Sequence, residues 1–290
     1  MGIFLNPDCM LCQLRRNLAT ARPMGTEEQL SRFTRGLLEL FLRTPENASA
    51  TLLGPETEKL YQNIYGVSGD RFEEEKKLSN CFVMERFGQI LAKVEAAEDP
   101  VYAGLQFAIL GNYIDFSALH GEVSFEKLEQ LLNQASAMEL DREAYSKFCR
   151  DLEAGKNLLY LTDNAGEIGF DRIFAEQIAK RYPHVQITFC VRGGATINDA
   201  TRADAEAVGI PFPVIDNGNC IAGTVIELLG EAAKQALETA DVIIAKGQAN
   251  AETLLDSGYN IYYAFLVKCI RFEERFQKPK LTPMLVREQG

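Results

Sequence analysis

The hydrophobic pattern of the chain changes period near residue 155, and that change decides what it can fold into. Before it, apolar residues recur at helical spacing: Leu30, Phe33, Leu37, Leu38 and Phe41, then Phe82, Phe87, Ile90, Leu91 and Val94. Residues 101–116 are mostly apolar and read as a buried helix, with Asn112 and Asp115 as polar intruders. Amphipathic pieces follow at 128–132 and 144–152. After the change, short β-branched and aromatic runs at 158–161, 185–191, 242–245 and 261–265 alternate with helical stretches at 169–181 and 224–238. Residues 211–215 hold two prolines, which suits an edge strand only. The alternation predicts an α/β protein with a three-layer α/β/α core and a largely parallel sheet over residues 155–290. Residues 1–154 are expected to form a helical N-terminal subdomain packed on that core.

Charge and cysteine usage exclude several classes. The 290-residue chain carries a net charge of −11, with Lys and Arg scattered, so nucleic acid and anionic membranes are not expected partners. No apolar run is long enough for a transmembrane helix. The seven cysteines are dispersed and odd in number, which argues for a reducing cytoplasm rather than a disulfide framework. The two histidines, His120 and His184, sit in no motif, so neither a His-rich zinc site nor a Ser-His-Asp triad is expected. Nothing in the sequence speaks to oligomeric state.

In open α/β sheets ligands bind beyond the carboxyl ends of the strands. The first strand runs into Thr162-Asp163-Asn164-Ala165-Gly166-Glu167, whose Asp163 and Asn164 are hard oxygen ligands of the kind Mg²⁺ prefers. Either one also suits a helix N-cap, the favoured reading for such a pair alone. The second strand ends in Arg192-Gly193-Gly194, where a glycine pair can bring N–H groups to an anion and an arginine adds a fork of donors. Asp199 follows at the start of a helical stretch, as a third ligand or another cap. A later strand ends in Lys246, where a solvated lysine has little reason to be and a phosphate oxygen would suit it. Acid, amide, glycine pair and lysine at successive strand tips favour a metal-and-phosphate site over unrelated caps.

At these residues the sequence resembles the damage-control phosphatase family, formerly a domain-of-unknown-function family. The matching segments are Asp163-Asn164-Ala165-Gly166-Glu167 with Phe170-Asp171, Val191-Arg192-Gly193-Gly194 through Asn198-Asp199-Ala200-Thr201, and Lys246-Gly247-Gln248 through Asn250. The run from Gly111 to Phe116 and the opening Cys9-Met10-Leu11-Cys12 also match, the latter resembling the archaeal and bacterial branch. The resemblance implies a cytoplasmic, metal-dependent phosphatase of small phosphorylated metabolites, such as sugar phosphates or phosphopantetheine-like compounds. It implies Asp163, Asn164 and Asp199 as metal ligands and Lys246 as a phosphate contact. It carries Asn112, Asp115, Glu167 and Asn250 into the pocket as substrate-binding residues. The chain departs from the family pattern at Ala195, Ala249 and Ala251, which touches loop geometry rather than the ligands. Mg²⁺, Mn²⁺, Co²⁺ and Ni²⁺ all remain open. Water attack is expected, with Asp163 or Asp199 as its base.

The Cys9/Cys12 pair lacks the second pair that a structural zinc site needs. With Cys269, which follows a strand, it is a candidate auxiliary thiolate site; buried structural cysteines are the default. Two rival functions remain. A methyltransferase using S-adenosylmethionine, or another Rossmann enzyme, would need a glycine-rich turn where Asp163 to Glu167 stand. A non-catalytic binding partner would have no use for the ligand set.

Overall fold

A computed structural model describes residues 5–67, 69–114 and 124–287. Helices α1 (Pro7–Ala21), α2 (Glu27–Arg43), α3 (Gly54–Tyr65), α4 (Glu73–Glu95), α5 (Pro100–Gly111), α6 (Phe125–Asn133) and α7 (Arg142–Ala154) precede the first strand. Then come β1 (Asn157–Leu161), α8 (Glu167–Arg181), β2 (Gln186–Val191), α9 (Arg202–Ala207), β3 (Val214–Asp216) and α10 (Glu231–Thr239). The chain ends in β4 (Val242–Lys246), α11 (Gly247–Leu254), β5 (Ile261–Leu266), α12 (Ile270–Phe276) and β6 (Pro283–Arg287). The sheet order is β3-β2-β1-β4-β5-β6; all pairs are parallel except β5–β6. The order reverses between β1 and β4, so their carboxyl ends border the crevice where such sheets take ligands.

Local sequence explains the elements. Helix α2 starts at Thr26, which forms a capping box with Gln29, and buries Leu30, Phe33, Leu37, Leu40 and Phe41. Leu38, part of the sequence-predicted stripe, is instead 45% exposed; Leu40 takes the inward place. β4 and β5 are buried at every residue, as parallel strands covered on both faces must be. Residues 211–215 yield only the short edge strand β3, shifted to start after Pro213. Sequence periodicity missed α1 and α3, which are short amphipathic helices, and β6, the antiparallel edge.

One face of the sheet packs Tyr160, Phe189, Ile244 and Tyr262 against α4, α5, α7 and α8. The other packs Leu159, Leu161, Ile243 and Phe265 against α10, α11 and α12. A third cluster, centred on Phe33, Leu37, Leu53 and Tyr61, lies within α1–α3. The helical part therefore divides: α4–α7 join the sheet's layer, and α1–α3 keep a small core of their own. Helix α5 is buried all round from Val101 to Gly111. A Cβ on Gly111 would stand 2.5 Å from Phe170, so glycine lets the end of α5 lie against α8 and sets Asn112 over Glu167. Among the described residues no helix is long and apolar enough to cross a membrane.

Candidate active site

Two loops at the strand ends are stitched together by backbone hydrogen bonds. Ala200 N–H donates to the Asp163 carbonyl at 2.7 Å, and Ala165 N–H to the Asn198 carbonyl at 2.9 Å. Asn164 and Asp199 form a short antiparallel bridge. Asp163, Asn164 and Asp199 thus converge, 5%, 2% and 4% exposed, on the floor of one pocket of about 450 Å³. Capping does not account for them. The N-cap of α8 is Gly166. Helix α9 begins at Arg202 behind a Thr201/Asp204 capping box, so Asp199 does not start a helix as its sequence context suggested.

The three side chains rest on a buried polar grid. Asp163 Oδ2 accepts from Asn112 Nδ2 at 3.0 Å and from Asn164 Nδ2 at 2.8 Å. Asn164 Nδ2 also donates to Glu167 Oε2 at 2.8 Å, which leaves Oδ1 as the atom Asn164 can offer to the pocket. Asn112 Nδ2 reaches both Glu167 oxygens, at 3.1 and 3.0 Å, and its Oδ1 accepts from Leu266 N–H at 3.1 Å. A Cβ on Gly247 would fall 1.9 Å from Asp163 Oδ2, and Gly247 sits at φ +77°, so only glycine lets the end of β4 close here.

Two cations lie beneath the pocket rather than in it. Arg192 donates from Nε to Asp199 Oδ2 at 2.7 Å and from Nη1 to the Gly223 carbonyl at 2.7 Å; its Nη2 lies 3.9 Å from Asp163 Oδ1. It orients the carboxylates and does not line the pocket. Lys246 is fully buried, 3.0 Å from Glu167 and 3.5 Å from Asp171, and donates to the Ala108 carbonyl at 2.7 Å. Lys246, for which the resemblance implied a phosphate contact, thus lies outside the pocket lining as a counter-ion to Glu167 and Asp171. Burial presses its ammonium down, but Glu167 and Asp171 outweigh this and hold it above the usual range. Burial pushes Asp171 up to about 7 against the opposing pull of Lys246. Tyr160 donates to Asp171 Oδ1 at 2.8 Å, while Oδ2 has no hydrogen-bond partner.

The remaining expected substrate contacts also serve the frame. Asn250 is buried; its Nδ2 donates to the Thr162 and Lys246 carbonyls, at 3.0 and 2.7 Å. Gly193 N–H is taken by the Asn219 carbonyl at 2.9 Å and Asn217 Oδ1 at 2.8 Å, so the glycine pair offers no anion nest there. Gly194 packs against Cys220. Asp115 lies outside the described residues. The pocket does hold a lysine that sequence reasoning missed: Lys268, 3% exposed, just past β5. Its backbone N–H donates to the Gln248 side chain. The signal was the one read at Lys246, a lysine following a buried strand.

The donor set fits a hard divalent cation: two carboxylates and an amide oxygen. Asp163, Glu167, Asp171 and Asp199 are four buried carboxylates facing two buried cations, Arg192 and Lys246. Cys9, Cys12 and Cys269 share the pocket wall, but among the described residues no group of three or more His, Cys, Asp or Glu is placed to hold a metal ion. Burial pushes the Cys9 thiol up to about 11 and raises Cys269 as well.

The sheet order is shared with dinucleotide-binding folds, so the turn after β1 has to separate the two classes; here acids occupy it. The profile described as damage-control phosphatase ARMT1-like domain matches residues 5–280. A damage-control phosphatase of Archaeoglobus fulgidus is 29% identical over 91% of this chain and 92% of its own length. One from Pyrococcus horikoshii is 33% identical over 61% of each chain. The crystal structure of a DUF89 family protein from Pyrococcus horikoshii superposes with a TM-score of 0.82 at 26% identity, covering 99% of this chain and 100% of that one. The chain belongs to the damage-control phosphatase ARMT1-like family.

Proposed function

We propose that the protein is a metal-dependent phosphatase that hydrolyses small phosphorylated metabolites. One observation carries this reading: Asp163, Asn164 and Asp199, two carboxylates and an amide oxygen, converge on the floor of one pocket, the donor set a hard divalent ion takes. Asp163, Asp199 and Asn164 Oδ1 would hold that ion, which supplies Lewis-acid charge neutralisation at the phosphoryl oxygens. Arg192 and Asn112 fix the carboxylates. Lys268 places positive charge beside the transferring group, the part the sequence assigned to Lys246. One of the two pocket-facing carboxylates accepts a proton from the attacking water as its oxygen bonds to phosphorus and the ester P–O bond breaks, and the departing alcohol oxygen is protonated from that carboxyl or from solvent. The seven free cysteines suit a reducing cytoplasm. Inorganic phosphate release from a panel of sugar phosphates and other monoesters with Mg²⁺, Mn²⁺, Co²⁺ and Ni²⁺ tests the proposal. No release with any combination would refute it.

A further inference from the structure

The pocket is larger than a phosphate needs, and its charge is divided. Its floor is acidic. Its walls carry Arg15 and Arg16 on α1 and Lys268, Arg271 and Lys280 beyond β5, against Asp8 and Glu252. The chain as a whole has 41 acids and 30 bases, so an excess of cations here runs against its composition. Glu252 is already engaged, accepting from the Ser49 hydroxyl at 2.6 Å and the Ala50 N–H at 3.1 Å. Arg271 has spare donors, although Glu252 feels its charge: its Nε is buried without a hydrogen-bond partner, and Nη1 reaches Glu274 only at 3.5 Å. A guanidinium in that state is a planar fork for a carboxylate or phosphate. Cys9 of α1 lines this pocket together with Cys269 and Arg271, so the start of α12 and the N-terminal turns of α1 share its wall.

We propose that Arg271, with Lys280 and Arg15, forms a second anion subsite in this pocket, so that the favoured substrate is a small phosphate monoester bearing another anionic group. The inference rests on the phosphatase reading above and names its substrate class. A carboxylate and a second phosphate share the required chemistry, and two matched pairs separate them. Glycerol 3-phosphate is compared with 3-phosphoglycerate, and fructose 1-phosphate with fructose 1,6-bisphosphate, under the same divalent ion. In at least one pair kcat/KM should favour the doubly anionic ester by about fivefold or more, roughly what one ordinary hydrogen bond contributes. Arg271→Gln should collapse that ratio, and Lys280→Gln, in an exposed loop, should lower it even if the first variant fails to fold. Ratios below about fivefold in both pairs, or a preference that survives both substitutions, would overturn the subsite while leaving the phosphatase reading intact. No hydrolysis of any of the four esters would end both.

Discussion

Replacing Asp163 by Asn tests the centre most directly, because the amide keeps the shape and removes one charge. Asn112 Nδ2 and Asn164 Nδ2 both donate to Oδ2, at 3.0 and 2.8 Å, and an amide oxygen can receive them. The grid should therefore survive, at the cost of turning an NH₂ toward Arg192, 3.9 Å from the present Oδ1. In the unsubstituted protein, free metal at about a hundred times its Kd should add ~2.7 kcal/mol to stability. At ~2.1 cal/mol/K per residue, the unfolding entropy of 290 residues is about 0.6 kcal/mol/K, so Tm should rise by about 4 °C. If the lost ligand weakens binding about a hundredfold, the same metal adds only ~0.4 kcal/mol and Tm moves by less than about 1 °C. Thermal unfolding with and without each of the four divalent ions reads this out, and phosphate release should fall in parallel. An equal metal-induced rise in both proteins would place the ion elsewhere.

Three further outcomes follow from the same geometry. Gly247→Ala puts a Cβ against Asp163 at a positive φ, so urea unfolding should show a loss of about 2 kcal/mol or more, and the metal-induced Tm rise should vanish. An unaltered stability would contradict the close approach. The folded protein holds the Asp171 proton up to about pH 7, against 3.8 for the ordinary group, so the unfolded chain releases it first. Stability should therefore fall as pH rises from about 4 to about 7, with a ceiling of ~4 kcal/mol, and Asp171→Asn should flatten that slope in urea titrations. With its thiol raised to about 11, Cys9 should react with iodoacetamide at pH 8 far more slowly than the exposed Cys81, as mass spectrometry of labelled peptides would show.

What could be read from the chain is what period and strand-end chemistry encode. The strands beginning at 157, 186, 242 and 261 are mostly apolar because both sheet faces are covered, and such runs announce themselves. Asp163, Asn164 and Asp199 were legible because acids and amides at the tips of buried strands need a reason. Their convergence depends on the backbone bonds from Ala165 and Ala200, which no residue type advertises. Glycines misled for a related reason. Gly193 looked like an anion nest, yet its N–H faces the loop of Asn217 and Asn219, a contact set by tertiary packing. Helices α1 and α3 were missed because both pack chiefly on α2, and so carry only part of an apolar stripe.

The two strand-end lysines pose the sharpest question. Sequence context treats them alike, since each follows a buried strand. Charge separates them: Lys246 touches Glu167 and Asp171 in a place without solvent, whereas Lys268 borders the pocket. Removing the buried partner leaves uncompensated carboxylates, so Lys246→Met should cost about 3–5 kcal/mol in urea unfolding. Adding Glu167→Gln to it should recover part of that loss, because the two side chains are in contact. Lys268→Met should lower kcat/KM by about a hundredfold or more, the scale of losing one preorganised electrostatic contact. A Lys246→Met protein that unfolds like the original yet has lost catalysis would return that lysine to the substrate and overturn its reading as the buried counter-ion of Glu167 and Asp171.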